Sequence, residues 1–177
     1  MKREYLRLID NLSKELVEGN LAIFAGAGMS RAAGFVDWKS LLKPIADDLD
    51  LDVEKEWDLV TLAQYHANAN ATNRSKLNQM LVTEFSAGVA PTENHEILAR
   101  LPIQTYWTTN YDKLIESSLE RNGKVPDIKY TNKQLATTRP KRDAVVYKMH
   151  GDVDHASEAV LIRDDYERYH LKMQPFI

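Results

Sequence analysis

The sequence predicts an α/β fold built around a parallel sheet. Three apolar, strand-like runs each stop at small or polar residues, and these runs span 21–30, 107–112 and 146–152. An open parallel sheet delivers ligand-binding groups at the carboxyl ends of its strands. Three runs that end in this way therefore indicate a nucleotide site.

Length and composition agree with this fold class. The chain has 177 residues, 44% of them hydrophobic, which is enough for the core of one domain. Its net charge of −3, with both signs interspersed, provides no broad basic field, so we expect no nucleic-acid partner. No apolar run approaches the ~20 residues of a membrane span, and we expect no membrane association and no signal peptide. The absence of cysteine excludes disulfides, and the cytoplasm is the expected location.

The first predicted elements are a helix and a strand. Residues 3–18 are expected to form an amphipathic helix that ends near Gly19. Residues 21–25 are expected to form a buried strand. The apolar stripe of the helix is predicted to contain Tyr5, Leu6, Ile9, Leu12 and Leu16.

The segment after this strand has the chemistry of a diphosphate cradle. Gly26-Ala27-Gly28 lets the backbone turn tightly and approach a ligand without a Cβ in the way. Ser30 and Arg31 then open a helix whose free N–H groups favour a phosphate. A dehydrogenase is disfavoured, because Arg31 occupies the third glycine position and the acidic residues at the right distance lie in a helical pattern. A glycine turn that only joins strand to helix stays an alternative.

A helical segment is predicted between the first two strands. About 75 residues lie there, far more than one crossover helix needs. A loop is expected at 67–73. Helical patterns cover 38–49, 56–69, 73–85 and 91–101. The core of this segment is expected to contain Trp57, Tyr65 and Met80.

Polar residues follow the second and third predicted strands. The strand at 103–108 leads to Asn110 and Asp112, and a helix begins directly afterward. Both residue types cap helices well, so capping stays an alternative for each. The strand at 144–149 exits through His150. A lone histidine is more often packed or exposed than catalytic, and only the three strand ends together indicate a site.

The three motifs resemble the NAD-binding core of sirtuins in their order and spacing. They are Gly-Ala-Gly-Met-Ser at 26–30, Thr-Thr-Asn-Tyr-Asp at 108–112 and Lys-Met-His-Gly-Asp at 148–152. The likeness is greatest to the sirtuin-like domains of bacterial anti-phage defence proteins, such as the NAD-degrading effectors of Thoeris systems. It runs from about residue 20 to about residue 169. It implies a Rossmann-like parallel sheet, with the helical insertion at about 39–101 as a cap over the NAD cleft.

The resemblance implies roles for residues at the three turns. The glycine loop would hold the diphosphate of NAD, and His150 would serve as the base. The catalytic residues would be Asn110, Asp112 and His150, the first two facing the nicotinamide ribose. Contacts to NAD are implied for Ala25, Gly26, Ala27, Gly28, Ser30, Asp37, Thr109, Asn110, Asp112 and His150.

The sequence departs from the protein-deacylating sirtuins in three ways. Residues 34–38 lack the proline and arginine that follow the glycine loop of the deacylases, and Thr109 stands where they have glutamine. Their four-cysteine zinc module is impossible here, because the chain has no cysteine. We expect no metal site, because apart from His150 and His155, which flank a turn, the histidines show no ligand spacing backed by carboxylates. The five histidines are His66, His95, His150, His155 and His170.

The C-terminal part of the chain is predicted to contain a short strand at 159–162 and a helical turn at 164–170. Members of the resembled family continue through further strands and helices that complete the sheet. Residues 1–177 are therefore interpreted as a single sirtuin-like NAD-binding domain, the N-terminal part of a longer protein.

The function that these expectations favour is that of an enzyme. An NAD+ glycohydrolase would cleave the nicotinamide–ribose bond to give nicotinamide and ADP-ribose, depleting NAD+ in anti-phage defence by abortive infection. Two alternatives stay open, an NAD-dependent protein deacylase and a non-catalytic nucleotide-sensing or assembly module. The resemblance also implies a homo-oligomer or a partner defence subunit.

Overall fold

A computed structural model describes residues 3–86 and 88–174 and confirms the α/β prediction. Four parallel strands form one sheet in the order β1-β2-β4-β3. Ala25, Thr108 and Lys148, at the carboxyl ends of three strands, lie side by side in register. The turns after β1, β2 and β4 therefore leave the same edge of the sheet. The strands are β1 (Ala22–Ala25), β2 (Thr105–Thr108), β3 (Pro126–Lys129) and β4 (Ala144–Lys148).

Helices fill the connections and flank the sheet in the described ranges. The α-helices are α1 (Arg3–Val17), α2 (Ala27–Arg31), α3 (Trp38–Asp48), α4 (Leu59–Ala69), α5 (Ser75–Phe85), α6 (Glu93–Arg100), α7 (Leu114–Arg121), α8 (Asn132–Leu135), α9 (Arg163–Glu167) and α10 (Tyr169–Met173). A 3-10 helix, Val153–Glu158, follows β4.

Side-chain caps decide where the inserted helices begin. Asp37 Oδ1 accepts a hydrogen bond of 2.9 Å from Ser40 N at the start of α3. Asp58 Oδ1 accepts one of the same length from Thr61 N, so α4 begins two residues after Trp57 rather than at residue 56. Thr92 caps α6 in the same region of the chain. These carboxylates and hydroxyls satisfy N–H groups that have no partner within the helix.

Two hydrophobic clusters divide the packing. In one, α3, α4 and α5 pack with the 3-10 helix and the segment 159–162. In the other, α6 and α7 pack against the sheet through residues that include Tyr106, Leu119 and Val146. The helical insertion is therefore divided, because α3, α4 and α5 belong to the first cluster and α6 belongs to the second.

The segment 159–162 is not the strand that the sequence predicts. Its four residues are buried, but its backbone groups bind side chains and nearby turns instead of a neighbouring strand, and Val160 N donates to His150 O at 2.9 Å. Arg74 Nη2 donates to Ala159 O at 2.7 Å, and Tyr111 Oη donates to Val160 O at 2.7 Å. Asp165 Oδ2 accepts from the amides that follow, at 3.0 and 3.2 Å. Because these partners satisfy the buried backbone, the segment has no need of a strand ladder.

Several predicted burials are wrong. The side chain of Trp57 is 98% exposed and that of Tyr65 is 58% exposed, because the helix starts after Trp57 and turns its apolar face elsewhere, while Met80 packs against the core as expected. Strand β1 buries Ala25 but leaves Phe24 67% exposed. No residue of α1 is buried, although Leu16 packs against the second cluster.

The remaining differences are local. The predicted loop at 67–73 starts later, since α4 continues to Ala69, and Ala71 and Thr72 then take positive φ values. The predicted helical turn at 164–170 is split into α9 and α10 at Arg168. In the parts of the chain that the structure describes, no helix has the length and apolarity to cross a membrane.

Candidate functional site

A cavity of about 240 Å³ opens at the carboxyl ends of β1, β2 and β4. The structure brings together here six of the residues that the sequence predicts to contact NAD: Ala27, Ser30, Thr109, Asn110, Asp112 and His150. The other lining residues are Val36, Trp38, Phe85, Tyr111 and Tyr166. Ligand pockets for drug-sized molecules typically enclose ~300–1,000 Å³, so this cavity suits one end of a dinucleotide rather than the whole of it.

A chain of hydrogen bonds forms the polar wall of the cavity. Asn110 Nδ2 donates to Ser30 Oγ at 2.8 Å and to Gly26 O at 3.0 Å. Ser30 Oγ in turn donates to Asp112 Oδ2 at 2.5 Å. These bonds fasten the turn after β1 to the turn after β2. The side chains of Ser30, Asn110 and Asp112 are all buried, so the three groups are held in fixed positions.

The orientation of the Asn110 amide follows from its partners. Gly26 O can only accept a hydrogen bond, so Nδ2 and not Oδ1 of Asn110 must face it. The second N–H of the same nitrogen donates to Ser30 Oγ. Among residues 3–86 and 88–174, no group donates to Asn110 Oδ1. That oxygen is therefore the atom with which Asn110 can accept a hydrogen bond from a ligand hydroxyl or a water molecule.

The alternative that Asn110 and Asp112 only cap a helix holds for one of them and not for the other. Asp112 Oδ1 accepts from Leu114 N at 3.0 Å, so Asp112 caps α7. Asn110 does not cap α7, since its side chain reaches back to the turn after β1. Asp112 thus holds the Ser30 hydroxyl with Oδ2 and caps the first turn of α7 with Oδ1.

His150 stands at the aromatic side of the cavity. Its ring meets Tyr166 edge-on at a centroid distance of 5.5 Å and Tyr169 at 6.2 Å, and it lies tilted against Tyr111 at 6.5 Å. Neither ring nitrogen of His150 has a hydrogen-bond partner in the part of the chain that the structure describes. Burial lowers the pKa of His150 below its ordinary value of 6.5. The imidazole is therefore neutral at pH 7 and can accept a proton.

The residue after His150 must be glycine. Gly151 has a φ of +94°, which other residues adopt only with strain. A Cβ at this position would lie 3.0 Å from Ala159 Cα, so the backbone of the buried segment would have to shift. The glycine thus lets the turn that carries His150 lie against the buried segment 159–162.

The glycine loop differs from its prediction. Helix α2 begins at Ala27 rather than Ser30 and makes little more than one turn, so its dipole is small. Gly26 is extended at φ −117°, and neither it nor Gly28 has a positive φ. A Cβ at Gly28 would meet nothing within 4 Å. Neither packing nor φ requires a glycine at this position, and the space beside its exposed backbone is open.

Four predicted contact residues do not line the cavity: Gly26 and Gly28 of the glycine loop, and also Ala25 and Asp37. Ala25 is the buried end of β1, and its carbonyl accepts from Thr109 N at 3.3 Å. Asp37 caps α3, and hydrogen bonding from Ser40 together with the charge of Arg31, 3.8 Å away, lowers the pKa of its carboxyl group. The structure gives Ala25 and Asp37 positions in the framework of the site.

Sequence reasoning missed the aromatic wall of the cavity, which is formed by Trp38, Phe85, Tyr111 and Tyr166. Tyr111 lies within the second motif, but its apolar spacing indicates a helix contact only. Trp38 is the first residue of α3 and directly follows the capping residue Asp37, which the sequence already predicts to contact NAD. Tyr166 lies 16 residues beyond His150, and nothing in its local sequence points to the cavity.

Comparison with known proteins agrees with the three motifs. Residues 104–177 match the family of the SIR2-like domain. The chain is 63% identical over 169 residues to a protein of Bacillus cereus (strain MSX-D12) named NAD(+) hydrolase ThsA, covering 96% of the chain and 36% of that protein. Proteins of the same name from Cytobacillus dafuensis and Enterococcus faecium are 57% and 53% identical, over 96% and 92% of the chain and 34% of each relative.

These matches confirm the resemblance to sirtuin-like domains, and the parallel sheet fits the Rossmann-like fold that it implies. The chain spans about a third of the length of the relatives it matches. Within the described residues, no three histidine or acidic side chains cluster closely enough to hold a metal ion.

Proposed function

We propose that this chain, with its likeness to the SIR2-like domain and to proteins named NAD(+) hydrolase, forms the catalytic site of an NAD+ glycohydrolase. The observation that carries the proposal is the convergence of Asn110 and His150 on one cavity with an aromatic wall. The cavity has the size for the nicotinamide end of NAD+. Nicotinamide is flat and mostly apolar, so Trp38, Phe85 and Tyr166 suit its ring.

The reaction breaks the bond between the ribose C1′ and the pyridinium nitrogen of NAD+. The bonding electrons go to that nitrogen, nicotinamide leaves as a neutral molecule, and positive charge develops on the ribose. Water then attacks C1′ and loses a proton, giving ADP-ribose. The protein must orient the ribose and water and accept that proton, which needs neither a strong acid nor a covalent intermediate.

The side chains of the site match these tasks. Asn110 Oδ1 is free to accept from a ribose hydroxyl or from the attacking water. His150 is neutral at pH 7 and takes up the proton that the water loses. Asp112, with both oxygens engaged, holds Ser30 and Asn110 in place.

An assay of the full chain with NAD+ alone tests the proposal. A glycohydrolase releases nicotinamide and ADP-ribose without a second substrate. A protein deacylase would release little nicotinamide until an acylated peptide is added. Binding of NAD+ without turnover, seen by calorimetry, would instead identify a nucleotide-sensing module.

The cellular role is part of the same proposal. NAD+ depletion by this enzyme in the cytoplasm would limit phage growth, and the chain would act within a homo-oligomer or with a partner subunit that controls its activity. Size-exclusion chromatography with light scattering measures the assembly. NAD+ levels in cells that express the full-length protein, with and without phage, test the defence role.

Gly28→Val should weaken NAD+ binding without unfolding the protein. The added methyl groups would occupy the open space beside the backbone where the diphosphate is proposed to lie. Calorimetry should show at least a tenfold loss of affinity, about 1.4 kcal/mol, with little change in thermal stability. Gly88→Val is the control, because a Cβ there also meets nothing within 4 Å and the residue lies outside the glycine loop at 26–28. Equal NAD+ affinity in both variants would remove the diphosphate role of Gly28.

The pH dependence of nicotinamide release should reflect His150. Because burial lowers the pKa of its imidazole, the active neutral form persists below pH 6.5 and is lost only at more acidic pH. The plot of kcat/KM against pH should stay level from pH 8 to 6.5 and fall below that. A fall that begins above pH 6.5 would contradict the assignment.

The stability of the folded protein should also fall as the pH is lowered. Since the folded state disfavours protonated His150, the stability it contributes is complete above pH 6.5 and declines as the pH falls below that value. Burial of His95 lowers its pKa and acts in the same direction. The activity measurements therefore need to be normalised to the folded fraction at each pH.

A further inference from the structure

A buried lysine lies directly behind the candidate site. Lys148 is the last residue of β4, and its side chain is 0% exposed. Its Nζ donates hydrogen bonds to three oxygen atoms and forms an ion pair with a fourth, that of Glu116. These are Tyr111 O at 3.0 Å, Asp112 O at 2.6 Å, Asp152 Oδ2 at 2.6 Å and Glu116 Oε1 at 3.0 Å. An ammonium group has three N–H donors, so none is left for a substrate.

The four oxygens come from both turns that carry the proposed catalytic groups. The carbonyls of Tyr111 and Asp112 belong to the turn after β2, directly after Asn110. Asp152 lies two residues after His150, in the turn after β4. One ammonium group thus connects the backbone beside Asn110 to the turn of His150.

The surrounding charges keep Lys148 ionised despite its burial. Desolvation alone would lower its pKa, but the carboxylates of Glu116 and Asp152 more than compensate, and the pKa is raised. Removal of the lysine would leave these two buried carboxylates without their partner, which is costly. The ammonium group and the two carboxylates therefore stabilise one another's charged forms, and the loss of one destabilises the others.

We propose that Lys148 is a positioning residue for NAD+ cleavage, whose ammonium group fixes the Asn110 turn against the His150 turn. The inference rests on the proposed function of the site. Val153 N also donates to Tyr111 O, at 3.1 Å, so the two turns are joined by the backbone as well. The lysine adds the contact to Asp112 O and the link to α7 through Glu116, which set the direction in which Asn110 is presented.

The neighbouring strand offers a matched control. Lys129, the last residue of β3, is also buried, and its Nζ lies 2.8 Å from Asp127 Oδ1 and 2.6 Å from Thr137 O. This pair lies away from the cavity-lining residues. Lys148→Met removes the lysine that pairs with Glu116 and Asp152. Lys129→Met removes one of the two cations that pair with Asp127 and leaves Arg142 in place, so both changes should lower the thermal stability. Only Lys148→Met should disturb the two turns.

Steady-state kinetics below the melting temperature of both variants tests the proposal. Lys148→Met should reduce kcat by ~10²-fold, the loss expected from a displacement of about 1 Å in a catalytic group, with KM for NAD+ changed less than threefold. Lys129→Met should leave kcat and KM, normalised to folded protein, at the wild-type values. Equal kcat in the two variants would overturn the proposal.

A second variant separates positioning from charge balance. The triple substitution Lys148→Met, Glu116→Gln and Asp152→Asn removes the unpaired carboxylates and should recover much of the stability. Activity that stays low in this stable variant supports positioning, and activity that returns with stability overturns it.

Failure of the proposed function can be told apart from failure of this inference. If the wild-type chain releases no nicotinamide, the side-chain amide resonances of Asn110 in NMR spectra replace the kinetic readout. They should shift in Lys148→Met and stay unchanged in Lys129→Met. An unshifted amide in both variants would overturn the positioning role whatever the activity.

Discussion

Replacing His150 by alanine should abolish nicotinamide release. The imidazole is neutral at pH 7, and its ring nitrogens have no hydrogen-bond partner in the described chain, so they are available for the attacking water. General bases commonly contribute 10²–10⁴-fold to a rate. Turnover of the variant should therefore fall by at least ~10²-fold, measured as nicotinamide released per folded molecule.

His155→Ala is the matched control for this variant. His155 follows the same strand but is exposed, and it stacks on Tyr130 with a centroid distance of 4.5 Å, away from the cavity. Its removal should leave turnover unchanged. Wild-type turnover in His150→Ala would show that another group accepts the proton.

The stability of His150→Ala needs its own measurement. A strand-end histidine would be expected to contribute little to a core, but this ring contacts three tyrosines. Aromatic contacts contribute about 0.5–1.5 kcal/mol beyond burial, so a modest fall in melting temperature is expected. Loss of activity at a temperature where the variant is fully folded is then attributable to chemistry.

The polar half of the site follows from the sequence for a simple geometric reason. Parallel strands in register end at the same edge, so polar residues placed directly after β1, β2 and β4 must meet there. Local sequence carries that information, because the distance from a strand end to its turn residue is only a few bonds. Ser30, Asn110 and His150 are found together for this reason.

The aromatic half depends on contacts that local sequence does not encode. Tyr166 reaches the cavity only because the segment 159–162 is buried, and the partners of that segment, such as Arg74 and Tyr111, lie far away along the chain. Its apolar composition alone indicates a strand. A buried stretch held by side chains and a buried strand have the same local pattern.

Strand β3 shows the opposite problem. Its sequence, Pro-Asp-Ile-Lys, has two charged residues and gives no strand signal. Asp127 and Lys129 are nevertheless buried, because they pair with each other at 2.8 Å and Asp127 also binds Arg142 at 3.1 Å. Tertiary pairing of charges outweighs the local preference, and this is invisible without the partner positions.

Replacing Asn110 by alanine should reduce turnover by ~10²-fold or more, about 2.7 kcal/mol, as removal of a positioned polar group does in other enzymes. The change removes Oδ1, which is free to orient the ribose or water. It also removes the donor to Gly26 O and Ser30 Oγ, so the turn after β1 loses two of its hydrogen bonds to the turn after β2 and keeps the one from Ser30 Oγ to Asp112. Both effects act on the same reacting groups.

Asn122→Ala separates this loss from that of a partly buried side-chain amide outside the cavity. Asn122 Nδ2 also donates two hydrogen bonds, to Glu96 Oε2 at 2.6 Å and Ser118 O at 2.8 Å, but at the C-terminal end of α7. Both variants should lose some thermal stability, because each leaves acceptors without a donor. Only Asn110→Ala should lose turnover when the rate is expressed per folded molecule. If both variants kept the wild-type rate and differed from it in melting temperature alone, the hydrogen bonds of Asn110 would be structural, and the ribose and water would have to be oriented by other groups in the cavity.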